Sequence, residues 1–380
     1  GACAQLRPGD APGFCLVAPS SSSGDATLER QAALVLLLQR LGPDFRRVGG
    51  GDIDVWAEGS VTPAMVAGIG ATLREDAAAV QAYFGRRFTE VPAVFVFASQ
   101  ASFAQALERQ FGYAPAVAGQ LSGQYGGLLV SGIGAIAING QNVLSAGRPT
   151  IFRHELAHVL THQIAGGGLP LWLDEGIAAL VAEGDAADFG AARAKAYSIL
   201  GDGALRGVTF DEERPWIDRN SALGGNAYGV ALEAVRLLVE RTGRARLVAL
   251  LETVGRGTAL ASAFAQAVGE TPSEFVARVP ERVLATCRRG VSVAATRPDG
   301  LVVWRIFGFG AKRAVQMTAD GSGHYSFEVQ TDEYGTYSGT LGGSMPAGAY
   351  TFRATAGIGT EVTTTIVLGT PTTPSLTCGS

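Results

Sequence analysis

The sequence predicts an α+β domain with a mostly helical second half, followed by a C-terminal antiparallel β-sandwich. Three observations carry this expectation. Residues 52 to 138 mix apolar alternation with long helix-like stretches. From Phe152 to Cys287 the pattern is mainly helical, and three of the four histidines of the chain lie between His154 and His162. After Cys287 the texture changes to short strand-like runs separated by Gly, Pro and Asp turns.

At 380 residues the chain is long enough for two or three domains and a sizeable core. A 47% hydrophobic share beside 17% charged residues excludes a wholly disordered chain. The net charge of -4, without a dense basic run, leaves no electrostatic footprint for nucleic acid. Near the start the longest apolar run, Ala32 to Leu38, is far shorter than the roughly 20 residues of a membrane span, so no transmembrane segment is expected.

Residues 1 to 24 are rich in Pro, Gly and Ser and read as a tethered arm. Thr27 to Leu41 reads as a helix with Ala32, Val35 and Leu36 on its apolar side, stopped by Gly42-Pro43. Gly49-Gly50-Gly51 reads as a hinge, which makes residues 1 to 48 an N-terminal extension with one helix. Ile53, Val55 and Ala57 then alternate as a strand, Thr62-Pro63 opens a long helix to about Phe84, and Val91 to Ala98 is a more buried strand. A helix from Ser99 to about Phe111 precedes two short strands, Gly127 to Val130 and Ala135 to Ile138.

The next helix carries the chemistry. Pro149 suits its first turn, Ile151, Phe152, Leu156, Val159, Leu160 and Ile164 supply apolar packing, and Gly166-Gly167-Gly168 ends it. His154 and His158 are four apart, hence on one face, where two imidazoles can converge on one ion. Zinc suits them because it accepts neutral imidazole and carboxylate and leaves a position for water. Glu155 projects beside that position, so H-E-x-x-H proposes a metal-activated water with a carboxylate general base. His162 is about 12 Å along the axis from His154, too far to share its ion. Glu175 is better placed as the third ligand, because Pro170 can open a second helix that returns antiparallel to the first.

The segment His154-Glu155-Leu156-Ala157-His158, followed by Leu169-Pro170-Leu171-Trp172-Leu173-Asp174-Glu175-Gly176, resembles the gluzincin zinc peptidases, in particular bacterial peptidase MA-like domains. The resemblance covers about residues 50 to 285 and implies a zincin-like catalytic domain at 49 to 287. It implies Zn2+ held by His154, His158 and Glu175, with Glu155 as general base and a peptide or protein as substrate. It also implies an edge strand ahead of the metal helix that holds substrate in extended form, for which Ala135, Ile136, Ala137 and Ile138 are the candidates. Tyr228 lies near where gluzincins place a tyrosine that steadies the oxyanion. The G-x-M-E-N amino-end anchor of gluzincin aminopeptidases is absent, which favours an endopeptidase. The other reading is a cell-surface binding or adhesion protein with a structural or vestigial zinc site. Glu155, which a structural site does not need, favours the enzyme.

Beyond Glu175, helices are expected at roughly 190 to 200, 225 to 241, 244 to 253, 257 to 267 and 272 to 287. Residues 288 to 380 hold strand-like runs at 291 to 293, 302 to 306, 324 to 329, 349 to 354 and 362 to 367, which suit an immunoglobulin-like or fibronectin-like sandwich. Gly348-Ala349-Tyr350-Thr351-Phe352 resembles the late strands of bacterial Ig-like modules, a surface for contact with the cell exterior. Four cysteines allow three connectivities, of which Cys3 with Cys15 and Cys287 with Cys378 is preferred. The opening Gly1-Ala2-Cys3 suits a trimmed, secreted or extracellular protein, with lipid attachment at Cys3 as the other use of that residue.

Overall fold

The computed structural model describes residues 23–42, 44–124, 126–130, 134–141, 150–183, 227–287, 289–295, 302–333, 335–341, 345–357, 359–368 and 375–379. The chain divides into two compact units, residues 1–169 with 244–259, and residues 170–243 with 260–380.

The first unit is built on a five-stranded sheet in the order β1-β2-β3-β5-β4. Its elements are α1 (Ser23–Leu41), β1 (Phe45–Gly49), β2 (Asp54–Glu58), α2 (Pro63–Phe84), β3 (Ala93–Phe97), α3 (Gln100–Arg109), α4 (Pro115–Gln124), β4 (Gly127–Val130), β5 (Ala135–Asn139), α5 (Thr150–Ala165) and α8 (Arg244–Gly255). β2, β3 and β5 run parallel, while β1 and β4 pair antiparallel with their neighbours. Every residue of β3 and β5 is buried, as befits parallel strands covered on both faces. Phe95, Phe97, Ala135 and Ala137 form one core with Leu37, Phe103, Leu107 and Tyr113.

Local chemistry fixes the helix ends. Thr62 caps α2 through its hydroxyl, Pro63 occupies the first turn, and Gly85 closes it in the left-handed region. Ser99 and Ser102 make a capping box at the start of α3. Gly166, Gly167 and Gly168 all have positive φ (75°, 82° and 73°), a run that only glycine adopts without strain.

Two features of the sheet differ from the sequence expectation. Gly50 and Gly51 lie in the connection of the β1-β2 hairpin and Gly49 is the last residue of β1, paired with Val55, so this run is not a hinge and Phe45–Gly49 belongs to the sheet, with Arg47 paired to Asp54 across the turn. Ala135 to Ile138 is not an edge. β5 pairs with β3 on one side and β4 on the other, so its N–H and C=O groups are committed to the ladder. Among the described residues, the edge on this side is β4.

The second unit contains α6 (Leu171–Glu183), α7 (Ala227–Thr242), α9 (Leu260–Val268), α10 (Pro272–Ala277) and α11 (Val279–Thr286). Trp172 of α6 is 1% exposed, stacked on Phe275 at 6.0 Å and edge-on to Phe264 at 6.3 Å. Glu270 accepts from Arg241 and Arg282, with Arg278 at 3.3 Å. Burial raises the Glu270 carboxyl, but the hydrogen bonds and charges of Arg282 and Arg241 outweigh it and hold the group below its ordinary range.

The rest of this unit is β-rich. Two four-stranded antiparallel sheets have the orders β10-β7-β6-β13 and β12-β11-β8-β9. The first uses β6 (Arg289–Ala295), β7 (Val302–Phe307), β10 (Tyr337–Leu341) and β13 (Ser375–Gly379); the second uses β8 (Ala314–Asp320), β9 (His324–Gln330), β11 (Gly348–Thr355) and β12 (Glu361–Leu368). Val291, Val293, Trp304 and Ile306 of one sheet share a core with Val315, Met317, Tyr350, Phe352 and Ile366 of the other. β8, β10 and β13 add to the expected strands. A disulfide joins Cys287 to Cys378, 91 positions apart, at a Cα–Cα distance of 5.3 Å. Cys3, Cys15 and the helix expected at 190 to 200 lie outside the described residues.

Candidate metal centre

α5 is the helix that the motif requires. Phe152, Leu156, Ala157, Val159 and Leu160 are buried along it, which holds the helix by packing and leaves its polar side chains to local geometry. His154 and His158, one turn apart, bring their Nε2 atoms to 3.1 Å, with the rings nearly perpendicular (83°) and their centroids 4.8 Å apart. His158 is 5% exposed and Glu155 6%. Two imidazoles bound about 2.0–2.1 Å from one tetrahedral ion would place their nitrogens about 3.3 Å apart. The observed separation fits that demand.

His154 and His158 of α5 offer two imidazole nitrogens, and Glu175 of α6 offers a carboxylate. Two imidazoles and a carboxylate are a donor set suited to zinc and related divalent ions. His158 and His162, with Asp174, are a second candidate donor grouping. Both groupings use His158. The first has the close nitrogen pair, whereas the His158 and His162 rings are 6.2 Å apart. Asp174 of the second grouping is the sequence neighbour of Glu175 on α6.

Tyr228 is the second residue of α7. Two residues absent from the sequence reading bear on α5. Asp76, on α2, has a side chain 4% exposed and takes two contacts from Arg153, from Nε at 2.9 Å and Nη2 at 2.8 Å. Burial pushes the Asp76 carboxyl above its ordinary range, and Arg153 opposes that rise. Gln163 binds the backbone of Thr89 and Glu90. Asp76 was accessible to sequence reasoning, because it follows Leu73 by three and precedes Val80 by four on the buried face of α2. Gln163 carried no comparable signal.

A paired-histidine helix with an adjacent buried carboxylate defines a candidate metallohydrolase centre. Residues 104–271 match the family model of the Peptidase MA superfamily, which supports a zincin-like peptidase domain in that part of the chain. No curated protein matches the chain. No helix among the described residues is long and apolar enough to cross a membrane.

Proposed function

We propose that this protein is a secreted, zinc-dependent peptidase of the gluzincin type, acting as an endopeptidase. His154, His158 and Glu175 would hold the ion, which when bound supplies Lewis acidity and lowers the pKa of water. Glu155, 6% exposed, accepts the proton of the attacking water. Tyr228 donates to the developing oxyanion. The observation that carries the proposal is the 3.1 Å approach of the two Nε2 atoms, with Glu155 next in sequence to His154.

The extended substrate adds to the open edge of β4, which packs beside α5 in the same unit. In the same proposal the peptidase domain runs from β1 to Cys287. Residues 288 to 380 are an accessory module of immunoglobulin or fibronectin type that contacts the cell exterior. Export is supported by the Cys287–Cys378 disulfide, since such bridges persist in oxidising compartments. Incubation with a mixed peptide library, with and without a chelator, tests the activity. Internal cleavage that stops with the chelator is expected; a library left intact by zinc-loaded protein would refute the peptidase reading.

A further inference from the structure

We infer that two polar anchors on the back of α5, Arg153 held by Asp76 and Gln163 held by the backbone of Thr89 and Glu90, set the roll of this helix and so aim His154 and His158. Asp76, Arg153 and Gln163 are positioning residues, and the inference rests on the two histidines being metal ligands.

One anchor grips the first turns of α5. There the Arg153 guanidinium donates to Oδ1 of Asp76, whose side chain is 4% exposed on α2. The other grips the last turn. Gln163 Oε1 accepts from the Thr89 N–H at 2.8 Å, the Thr89 hydroxyl at 3.2 Å and the Glu90 N–H at 3.4 Å, while its Nε2 donates to the Glu90 carbonyl at 2.9 Å. A single side-chain amide thus satisfies donors and an acceptor of one chain segment. The two anchors are about 15 Å apart along the axis and about 80° apart around it. Their midpoint faces about 160° away from the midpoint of His154 and His158, by the same geometry. The anchors therefore hold the side of the helix that turns away from the histidines.

Magnitudes show why this matters. α5 is otherwise enclosed by apolar contacts, which are non-directional and resist a small roll weakly. A roll of about 20° moves a side-chain tip at a radius of about 5–6 Å through roughly 2 Å. Metal-ligand distances tolerate only about 0.2 Å. Hydrogen bonds are directional, so they supply the angular restraint that packing lacks.

The experiment separates aiming from plain stabilisation. Asp76→Leu combined with Arg153→Met replaces the ion pair by apolar side chains, an exchange that is often neutral for stability. Gln163→Met removes the second anchor, and Arg153→Lys keeps a cation for Asp76. On the full chain, Tm, zinc affinity by chelator competition and the visible spectrum of the cobalt(II) form are measured, with His154→Ala as reference. The double variant and Gln163→Met should bind zinc about 10–100-fold more weakly, a loss typical of ligand-orienting partners. Their Tm should stay within a few degrees and their cobalt(II) bands should shift, while Arg153→Lys retains most of the affinity. If both anchor variants bind zinc like the unmodified chain while His154→Ala does not, the anchors aim nothing and the metal reading stands. Affinity that falls only in step with Tm overturns the inference as well, because it makes the anchors ordinary stabilisers. An unmodified chain that binds no zinc removes the metal reading and the inference together.

Discussion

Gly176 and Ala231 approach so closely that a Cβ on the glycine would lie 2.3 Å from the Ala231 carbonyl oxygen and 2.5 Å from a methyl of Val235. The glycine after Glu175 is thus a packing requirement of α6 against α7, since no side chain fits there. Gly176→Ala should cost about 1–3 kcal/mol through overpacking. Thermal melting should show the loss, and an unchanged Tm would mean that the two helices separate at little cost.

Purified protein should contain about one zinc. His154→Ala, His158→Ala and Glu175→Ala should each lose it, while His162→Ala should retain it. Elemental analysis of the four variants decides between the two groupings around His158. Zinc lost with His162→Ala and kept with Glu175→Ala would move the ion to the second one.

Glu155→Gln keeps the size and hydrogen-bonding capacity of the side chain but removes its basicity. Zinc content and fold should be unchanged, and turnover should fall by about 10² to 10⁴-fold. The assay uses whichever library peptide the unmodified chain cleaves. Equal rates for the two proteins would show that another group takes the proton.

The Cys287–Cys378 bridge spans a separation of 91 residues, so it restrains a long segment in the unfolded chain. Replacing both cysteines by serine should lower stability by about 2–5 kcal/mol. Denaturant unfolding of the variant, beside the unmodified chain with and without reductant, measures this. Reductant should bring the unmodified chain down to the level of the variant.

The depressed Glu270 carboxyl gives a pH dependence of known sign. Its folded pKa lies below the ordinary 4.5, so its contribution is fully present above that value and is lost as pH falls through the folded pKa. At neutral pH, Glu270→Gln should cost about 1.5–3 kcal/mol, the scale of hydrogen bonds to charged groups. In melts across acid pH, the gap between variant and unmodified chain should shrink towards zero. A constant gap would show that the charge is not what Glu270 contributes.

What could be read without the fold were features with local causes. The i, i+4 histidines, the Thr62-Pro63 helix start and the triple-glycine stop depend on residues within one or two turns of each other, so the sequence alone determined them. The two-sheet region was also announced, by its turn spacing. β8 was legible in principle, since Val315, Met317 and Ala319 alternate with Gln316 and Thr318, whereas β10 is short and carries Gly339 on the face it shares with Tyr337 and Leu341. β1 escaped because Arg46 and Arg47 face outward on an edge strand.

Strand order was decided only by tertiary structure. Ala135 to Ile138 has the apolar pattern of any buried strand, and nothing within it tells whether a further strand pairs at its side; β4 does, and becomes the edge instead. The anchoring of α5 was decided in the same way, since Asp76 and Arg153 are 77 residues apart, as Gln163 and Thr89 are 74. Helix periodicity and capping come from short-range backbone hydrogen bonds, which a sequence displays directly. Strand neighbours and buried polar partners come from chain segments brought together only when the apolar core closes, and no local window contains them.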